Sequence, residues 1–64
     1  MAGAFFIGAP VVICATGEFY QYIDGWKGTV IDYQGGNNKV LCVNPDGRPV
    51  EFLVPDGELR KYHD

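Results

Sequence analysis

Residues 26–44 read WKGTVIDYQGGNNKVLCVN. Residues 26–33 and 39–44 are rich in β-branched side chains, which favour extended strands with one buried side. Between these two runs, residues 34–38 supply glycine and asparagine, which tolerate the positive φ angles of a hairpin connection. This stretch therefore predicts two antiparallel strands joined by a hairpin.

Three further strands are predicted outside this hairpin. Residues 9–15 form an apolar, β-branched run that precedes it. Residues 48–54 alternate Val50, Phe52 and Val54 with other side chains, the period of a strand with one buried face. Residues 59–62 form a short last strand. The chain shows no apolar spacing of the kind that an amphipathic helix requires.

The connections between these strands indicate how the fold is organised. Residues 16–25 are too long for a tight hairpin and form a long first loop. The sequence Pro-Asp-Gly at residues 45–47 sets a turn, and residues 55–58 predict a 3₁₀ turn before the last strand. The fold class predicted is all-β, a five-stranded SH3-like barrel. The domain organisation predicted is an apolar N-terminal extension (1–8), the barrel (9–62) and a C-terminal tail (63–64).

Composition and charge restrict the function classes. The chain has 64 residues, of which 47% are apolar, and a formal net charge of -3. The acidic balance argues against nucleic acid as the partner, because such binding depends on clustered Lys and Arg. Residues 1–17 are interrupted by glycine and proline, which argues against a membrane span. Cys14 and Cys42 lie in apolar runs typical of reduced packing residues, which favours a cytoplasmic location.

Catalytic and metal-binding groups are sparse in the sequence. The single histidine, His63, is one residue from the C-terminus, where fraying is expected. Two isolated cysteines and one histidine do not provide the ligand set of a zinc site. We therefore expect no metal, no cofactor and no catalytic residue, and a binding module rather than an enzyme.

The aromatic first loop is the leading candidate site. It contains a cluster of aromatic side chains flanked by carboxylates: Glu18, Phe19, Tyr20, Tyr22, Asp24 and Trp26. Tyrosine and tryptophan offer a large contact area at low entropic cost, and acidic neighbours attract a basic side chain. The loop therefore predicts a groove for a protein or peptide. The alternative is that these rings form a lid that completes a small core.

The chain resembles the KOW-type barrels of transcription-elongation factors and ribosomal proteins. The resemblance lies in four short segments, Gly8-Ala9-Pro10-Val11-Val12-Ile13, Gly25-Trp26-Lys27-Gly28-Thr29-Val30-Ile31-Asp32, Gly47-Arg48-Pro49-Val50-Glu51-Phe52 and Glu58-Leu59-Arg60-Lys61. It implies an SH3-like barrel and, as an alternative function, contact with nucleic acid or a ribonucleoprotein.

A shorter resemblance is to the type II dihydrofolate reductases, small barrels that act as homotetramers. Trp26-Lys27-Gly28 and Leu59-Arg60-Lys61 are similar in place to segments of that family. This resemblance implies, as the alternative enzyme, a pore at a symmetry axis lined by Glu51, Phe52 and Leu53, with NADPH as cofactor. The family's pore strand reads Val-Gln-Ile-Tyr, where this chain reads Val-Glu-Phe-Leu.

Apolar surface in excess of one small core points to self-association. The first and third strands are apolar on both faces, and the N-terminal extension adds Phe5, Phe6 and Ile7. Homo-oligomerisation completes the burial that a short chain lacks, with these three residues as the predicted contact. The alternative is that the extension packs over its own barrel.

Overall fold

The computed structural model describes residues 5–62 and is all-β. The strands are β1 (Pro10–Ile13), β2 (Lys27–Gln34), β3 (Asn37–Val43), β4 (Pro49–Val54) and β5 (Leu59–Lys61). Two 3₁₀ turns, Gln21–Ile23 and Asp56–Glu58, interrupt the connections. The all-β class, the five strands, the long first loop and the 3₁₀ turn before the last strand are confirmed.

The five strands form one antiparallel sheet in the order β4-β3-β2-β1-β5. Each of the four neighbouring pairs is antiparallel, so consecutive strands lie side by side except where β5 returns to β1. Strands β4 and β5 are the two edges, and within residues 5–62 no ladder joins them. Hydrogen bonds therefore leave the sheet open, and closure into a barrel stays a prediction.

The central hairpin turns more tightly than the sequence suggested. Gln34 pairs with Asn37, so Gly35 and Gly36 alone make the turn. Their φ angles are 59° and 82°, the left-handed values that a two-residue turn of type I′ requires at both positions. Asn38 lies within β3 and is buried, and its amide donates hydrogen bonds to the Val54 carbonyl and the Asp56 carboxylate. The prediction that residue 38 belongs to the connection is wrong, because its side chain has partners across the sheet.

The N-terminal segment packs on its own chain. The amide of Gly8 donates to the Val30 carbonyl at 2.7 Å, and the Tyr33 hydroxyl donates to the Phe5 carbonyl. Strand β2 carries an irregularity between Val30 and Asp32 just beside these contacts. The Phe5 side chain is 7% exposed and belongs to the core. Phe5 therefore completes the core of its own chain. Residues 1–4 of the predicted extension lie outside the described residues.

The core contains one contribution from the long first loop. Its buried members are mainly inward-facing strand residues: Val11, Ile13, Val30, Val40, Cys42, Val54 and Leu59. Ile23, in the first 3₁₀ turn, is fully buried among them. Because that turn supplies a core side chain, the first loop is fixed against the sheet.

Gly28 on β2 lies where β3 leaves no room for a side chain. It lies between Val11 on β1 and Cys42 on β3. A Cβ at this position would lie 2.6 Å from the Leu41 carbonyl oxygen and 2.8 Å from both Cys42 Sγ and Val40 Cγ1. Since one of these atoms belongs to the backbone, the sheet itself would have to move to admit a methyl group.

We expect Gly28→Ala to lower the free energy of unfolding by about 1–3 kcal/mol, the usual cost of overpacking a core. Urea denaturation followed by Trp26 fluorescence measures the change. The matched control is Gly57→Ala, because a Cβ at residue 57 meets nothing within 4 Å. Equal losses in the two variants would contradict a special role for Gly28.

Candidate functional site

The first loop is closed at its base by backbone hydrogen bonds. The amide of Ile13 donates to the Trp26 carbonyl at 2.8 Å, and the amide of Gly25 donates to the Ile13 carbonyl at 2.7 Å. These bonds hold the end of β1 against the start of β2. These hydrogen bonds and the burial of Ile23 give the first loop a fixed conformation.

Two carboxylates fasten the start of the loop. Asp24 accepts a hydrogen bond from the Ala15 amide at 2.8 Å. Glu58, which is only 9% exposed, accepts one from the Thr16 amide at 3.0 Å and another from the Thr16 hydroxyl. The Glu58 carbonyl also accepts from the Cys14 amide at 2.9 Å. The second 3₁₀ turn therefore holds the first loop across 42 residues of sequence.

The aromatic rings of the loop meet β4 and form what we call the aromatic surface, made of Phe19, Tyr20, Tyr22, Trp26 and Phe52. The ring centroids of Trp26 and Phe52 are 5.8 Å apart, and those of Tyr22 and Phe52 are 6.2 Å apart. Phe19 and Tyr20 meet edge to face at 4.8 Å. The four ring-bearing residues predicted for the loop site therefore lie together, with Phe52 as an added member.

The rings divide into a buried pair and an exposed pair. Tyr20 and Trp26 are half-buried and pack against the core, and the Tyr20 hydroxyl donates to the Leu53 carbonyl at 2.9 Å. Phe19 and Tyr22 are 77% and 69% exposed. The lid alternative therefore describes Tyr20 and Trp26 but not Phe19 and Tyr22, and the groove stays a prediction. Tyr20 and Trp26 cover the core, while Phe19 and Tyr22 present aromatic faces to solvent.

Two exposed carboxylates neighbour the exposed rings in the sequence. Glu18 and Asp24 lie on either side of Phe19, Tyr20 and Tyr22 in the chain. Desolvation, followed by the charge of Glu58 and an interaction with Tyr22, raises the pKa of Tyr20 above its ordinary value of 10.0. This surface therefore combines apolar rings with negative potential, which suits a ligand that is both apolar and basic.

The residues of the alternative pore strand occupy both faces of β4. Phe52 points to the core side and joins the aromatic surface. Glu51 is exposed on the other face, with a carboxylate oxygen 3.9 Å from Lys39 Nζ. Leu53 is 38% exposed, and its carbonyl accepts the Tyr20 hydrogen bond. A single chain therefore does not bring these three side chains together on one face.

Three residues of the site were not identified from the sequence, namely Ile23, Thr16 and Glu58. Ile23 carries a signal in retrospect, because it is the single aliphatic residue of the predicted loop at 16–25. The contact between Thr16 and Glu58 carries none, because nothing in the local sequence links two residues so far apart. Phe52 was placed by strand alternation on the buried face, but its contact with the loop rings was not predicted.

Other chemical groups are few in the described chain. Residues 5–62 hold no group of three His, Cys, Asp or Glu side chains placed to bind a metal ion. Cys14 and Cys42 are free thiols, and burial raises the pKa of Cys42. Among the helices of the described residues, none is both long and apolar enough to cross a membrane.

No protein-family model matches the chain, and no curated protein matches it. The geometry described above is therefore the basis for a functional proposal.

We expect Thr16→Val to lower the free energy of unfolding by about 1 kcal/mol, because the buried Glu58 carboxylate loses its hydroxyl partner. Thr29→Val is the matched control, since Thr29 is exposed on β2 and undergoes the same chemical change. Chemical denaturation at neutral pH measures both. The prediction fails if the two variants are equally stable.

Tyr20 makes the free energy of unfolding depend on pH in the alkaline range. Because its pKa is raised in the folded state, the folded chain holds the phenolic proton more tightly than the unfolded chain does. The free energy of unfolding therefore falls as pH rises from the unfolded pKa through the folded pKa. We expect Tyr20→Phe to lose less stability than the parent chain between about pH 9 and about pH 11.

Urea denaturation at several pH values measures this slope. Tyr22→Phe removes only the smallest cause of the raised pKa of Tyr20 and should keep most of the slope. At neutral pH, Tyr20→Phe also loses the hydrogen bond to the Leu53 carbonyl, at a cost of about 1 kcal/mol. Parallel pH curves for Tyr20→Phe and the parent chain would contradict the prediction.

Proposed function

We propose that the protein is a non-catalytic binding module, an SH3-like barrel that recognises a basic, extended segment of another protein on the aromatic surface. One observation carries the proposal: Phe19 and Tyr22 hold their rings in solvent on a loop that is anchored to the core. A contiguous exposed apolar patch rimmed by polar residues is typical of an interaction site, whereas a single exposed apolar side chain is not.

The anchoring of the loop supports binding at low entropic cost. Ile23 is buried, and Asp24 and Glu58 fix the first residues of the loop. A ligand that docks on Phe19 or Tyr22 therefore does not have to order the backbone beneath them, and a preorganised surface loses less free energy on association. The Tyr22 ring is also held at 6.2 Å from Phe52, which limits its freedom.

The charge of the surface supports a basic ligand. Glu18 and Asp24 attract Lys or Arg, and the faces of Phe19 and Tyr22 accept a cation. A phosphate-bearing ligand would meet these carboxylates and the net charge of -3. A proline-rich segment with arginine combines the apolar contact and the positive charge that this surface fits.

A short proline-rich peptide that carries arginine is the probe for this proposal. We expect it to change the fluorescence of Trp26, the single tryptophan of the chain, which lies 5.8 Å from Phe52. Tyr22→Ala weakens binding by about tenfold or more, the loss of a contact worth at least about 1.4 kcal/mol. Glu18→Lys also weakens peptide binding, because repulsion of the arginine replaces attraction. This loss of affinity grows as the salt concentration is lowered.

The control variant is Val43→Ser, which changes an exposed side chain on a different part of the sheet and should leave peptide affinity unchanged. The control peptide has glutamate in place of arginine and should not bind. Equal affinity of the parent chain and Tyr22→Ala would overturn the proposal. So would preference for a single-stranded oligonucleotide over the peptide.

A further inference from the structure

The outward side of the sheet carries a second apolar surface, which we call the outer face: Phe6, Pro10, Thr29, Leu41, Val43 and Tyr62. Pro10, Thr29 and Leu41 are neighbours in one row across β1, β2 and β3. Two adjoining depressions of about 190 and 400 Å³ lie here, and both are lined by Pro10 and Tyr62. Phe6 and Val43 are 63% and 64% exposed. This chain therefore has an apolar surface distinct from the aromatic one.

The two depressions of the outer face are lined by basic side chains, in contrast to the aromatic surface. The exposed Glu51 lies beside Leu41 at the β4 edge of this face, next to Lys39. Lys61 lines the smaller depression and Lys27 the larger. Lys27 Nζ lies 4.4 Å from the centre of the Tyr62 ring and donates to its hydroxyl at 3.1 Å. No acidic side chain lines either depression. The two surfaces are thus complementary, one with exposed rings and carboxylates, the other with an apolar floor and ammonium groups.

We propose that a second copy of this chain occupies the outer face, and that it docks there through its aromatic surface. The proposal rests on the proposed function, because it names one protein partner of the same site. Glu18 and Asp24 of one copy would lie near Lys27 and Lys61 of the next, and the exposed rings would fill the depressions. Such matching of charge steers association and selects the partner.

The charges also select the symmetry of the contact. An isologous dimer through the two depressions would bring together surfaces that each carry Lys27 and Lys61 and no lining carboxylate, so their charges repel on balance. The head-to-tail contact avoids this repulsion. In each pair of copies it leaves one aromatic surface and one outer face free. A heterologous contact of this type extends into a ring or an open chain as concentration rises. Salt weakens it, because both charged sets are exposed.

Two complementary variants test the contact. The loop variant, Glu18→Lys with Tyr22→Ala, alters only the aromatic surface, and the face variant, Lys61→Glu with Val43→Ser, alters only the outer face. All four side chains are exposed, so both variants should fold, which circular dichroism checks. In sedimentation velocity we expect the parent chain to assemble at high concentration and low salt. Each variant alone assembles at least about tenfold more weakly.

A mixture of the two variants gives the decisive measurement. The intact outer face of the loop variant pairs with the intact aromatic surface of the face variant, so the mixture forms a dimer that grows no further. A loop variant that still dimerises alone overturns the proposal in favour of an isologous contact. A parent chain that stays monomeric under all these conditions overturns it as well.

The peptide measurement separates this proposal from the proposed function. The face variant keeps its aromatic surface and, at concentrations where the parent chain is monomeric, should bind the arginine peptide with the affinity of the parent chain. If it does so while the mixture forms no dimer, self-docking is wrong and peptide recognition stands. If neither the peptide nor the second copy binds, both proposals are wrong. Release of the mixed dimer by excess peptide is the expected result when both are correct.

Discussion

Burial of Ile23 is the interaction on which the arrangement of the rest depends. The five strands leave β4 and β5 as separate edges, and the hydrogen-bonded ladders end there. The first 3₁₀ turn brings Ile23 into the core, while Asp24 and Glu58 hold the neighbouring backbone. Because the turn is fixed in this way, the positions of the aromatic side chains before and after Ile23 are restricted. Tyr20 and Trp26 pack against the core, and Phe19 and Tyr22 remain outside it.

The small size of the chain explains why structure and recognition share one loop. A chain of 64 residues buries only about 60% of its unfolded surface, so it cannot assign separate segments to core and to binding. Trp26 illustrates the overlap, because its ring packs against the core and also contacts Phe52 within the aromatic surface. A ligand on this surface would therefore bind directly above the core, and binding and folding stability would be coupled.

The strands were predictable because their signals are local. Alternation placed Val50, Phe52 and Val54 on the buried side of β4, and two glycines marked the central turn. The predicted strand ends differ from the observed ones by a few residues, as where the third strand begins at Asn37 and not at residue 39. Asn38 was misplaced because asparagine favours turns, while its buried amide here has partners on β4 and in the second 3₁₀ turn.

The candidate site was predictable in part, for a related reason. The composition of the first loop revealed its rings and carboxylates, but which rings are covered depends on contacts that no local pattern encodes. Tyr20 is fixed by a carbonyl 33 residues away, and Thr16 by a carboxylate 42 residues away. Phe5 shows the same limit, because its place in the core depends on β2, where the Tyr33 hydroxyl holds its carbonyl.

The existence of a second surface follows from strand geometry. Strands β1 and β3 are apolar at successive positions, and successive side chains of a strand point to opposite faces. The core takes Val11 and Val40, and the loop covers that side of the sheet. Leu41 and Val43 then lie on the other side, where Val43 is 64% exposed. An aromatic, acidic loop on one side and an apolar face with lysine-lined depressions on the other thus both follow from folding a single sheet with one covering loop.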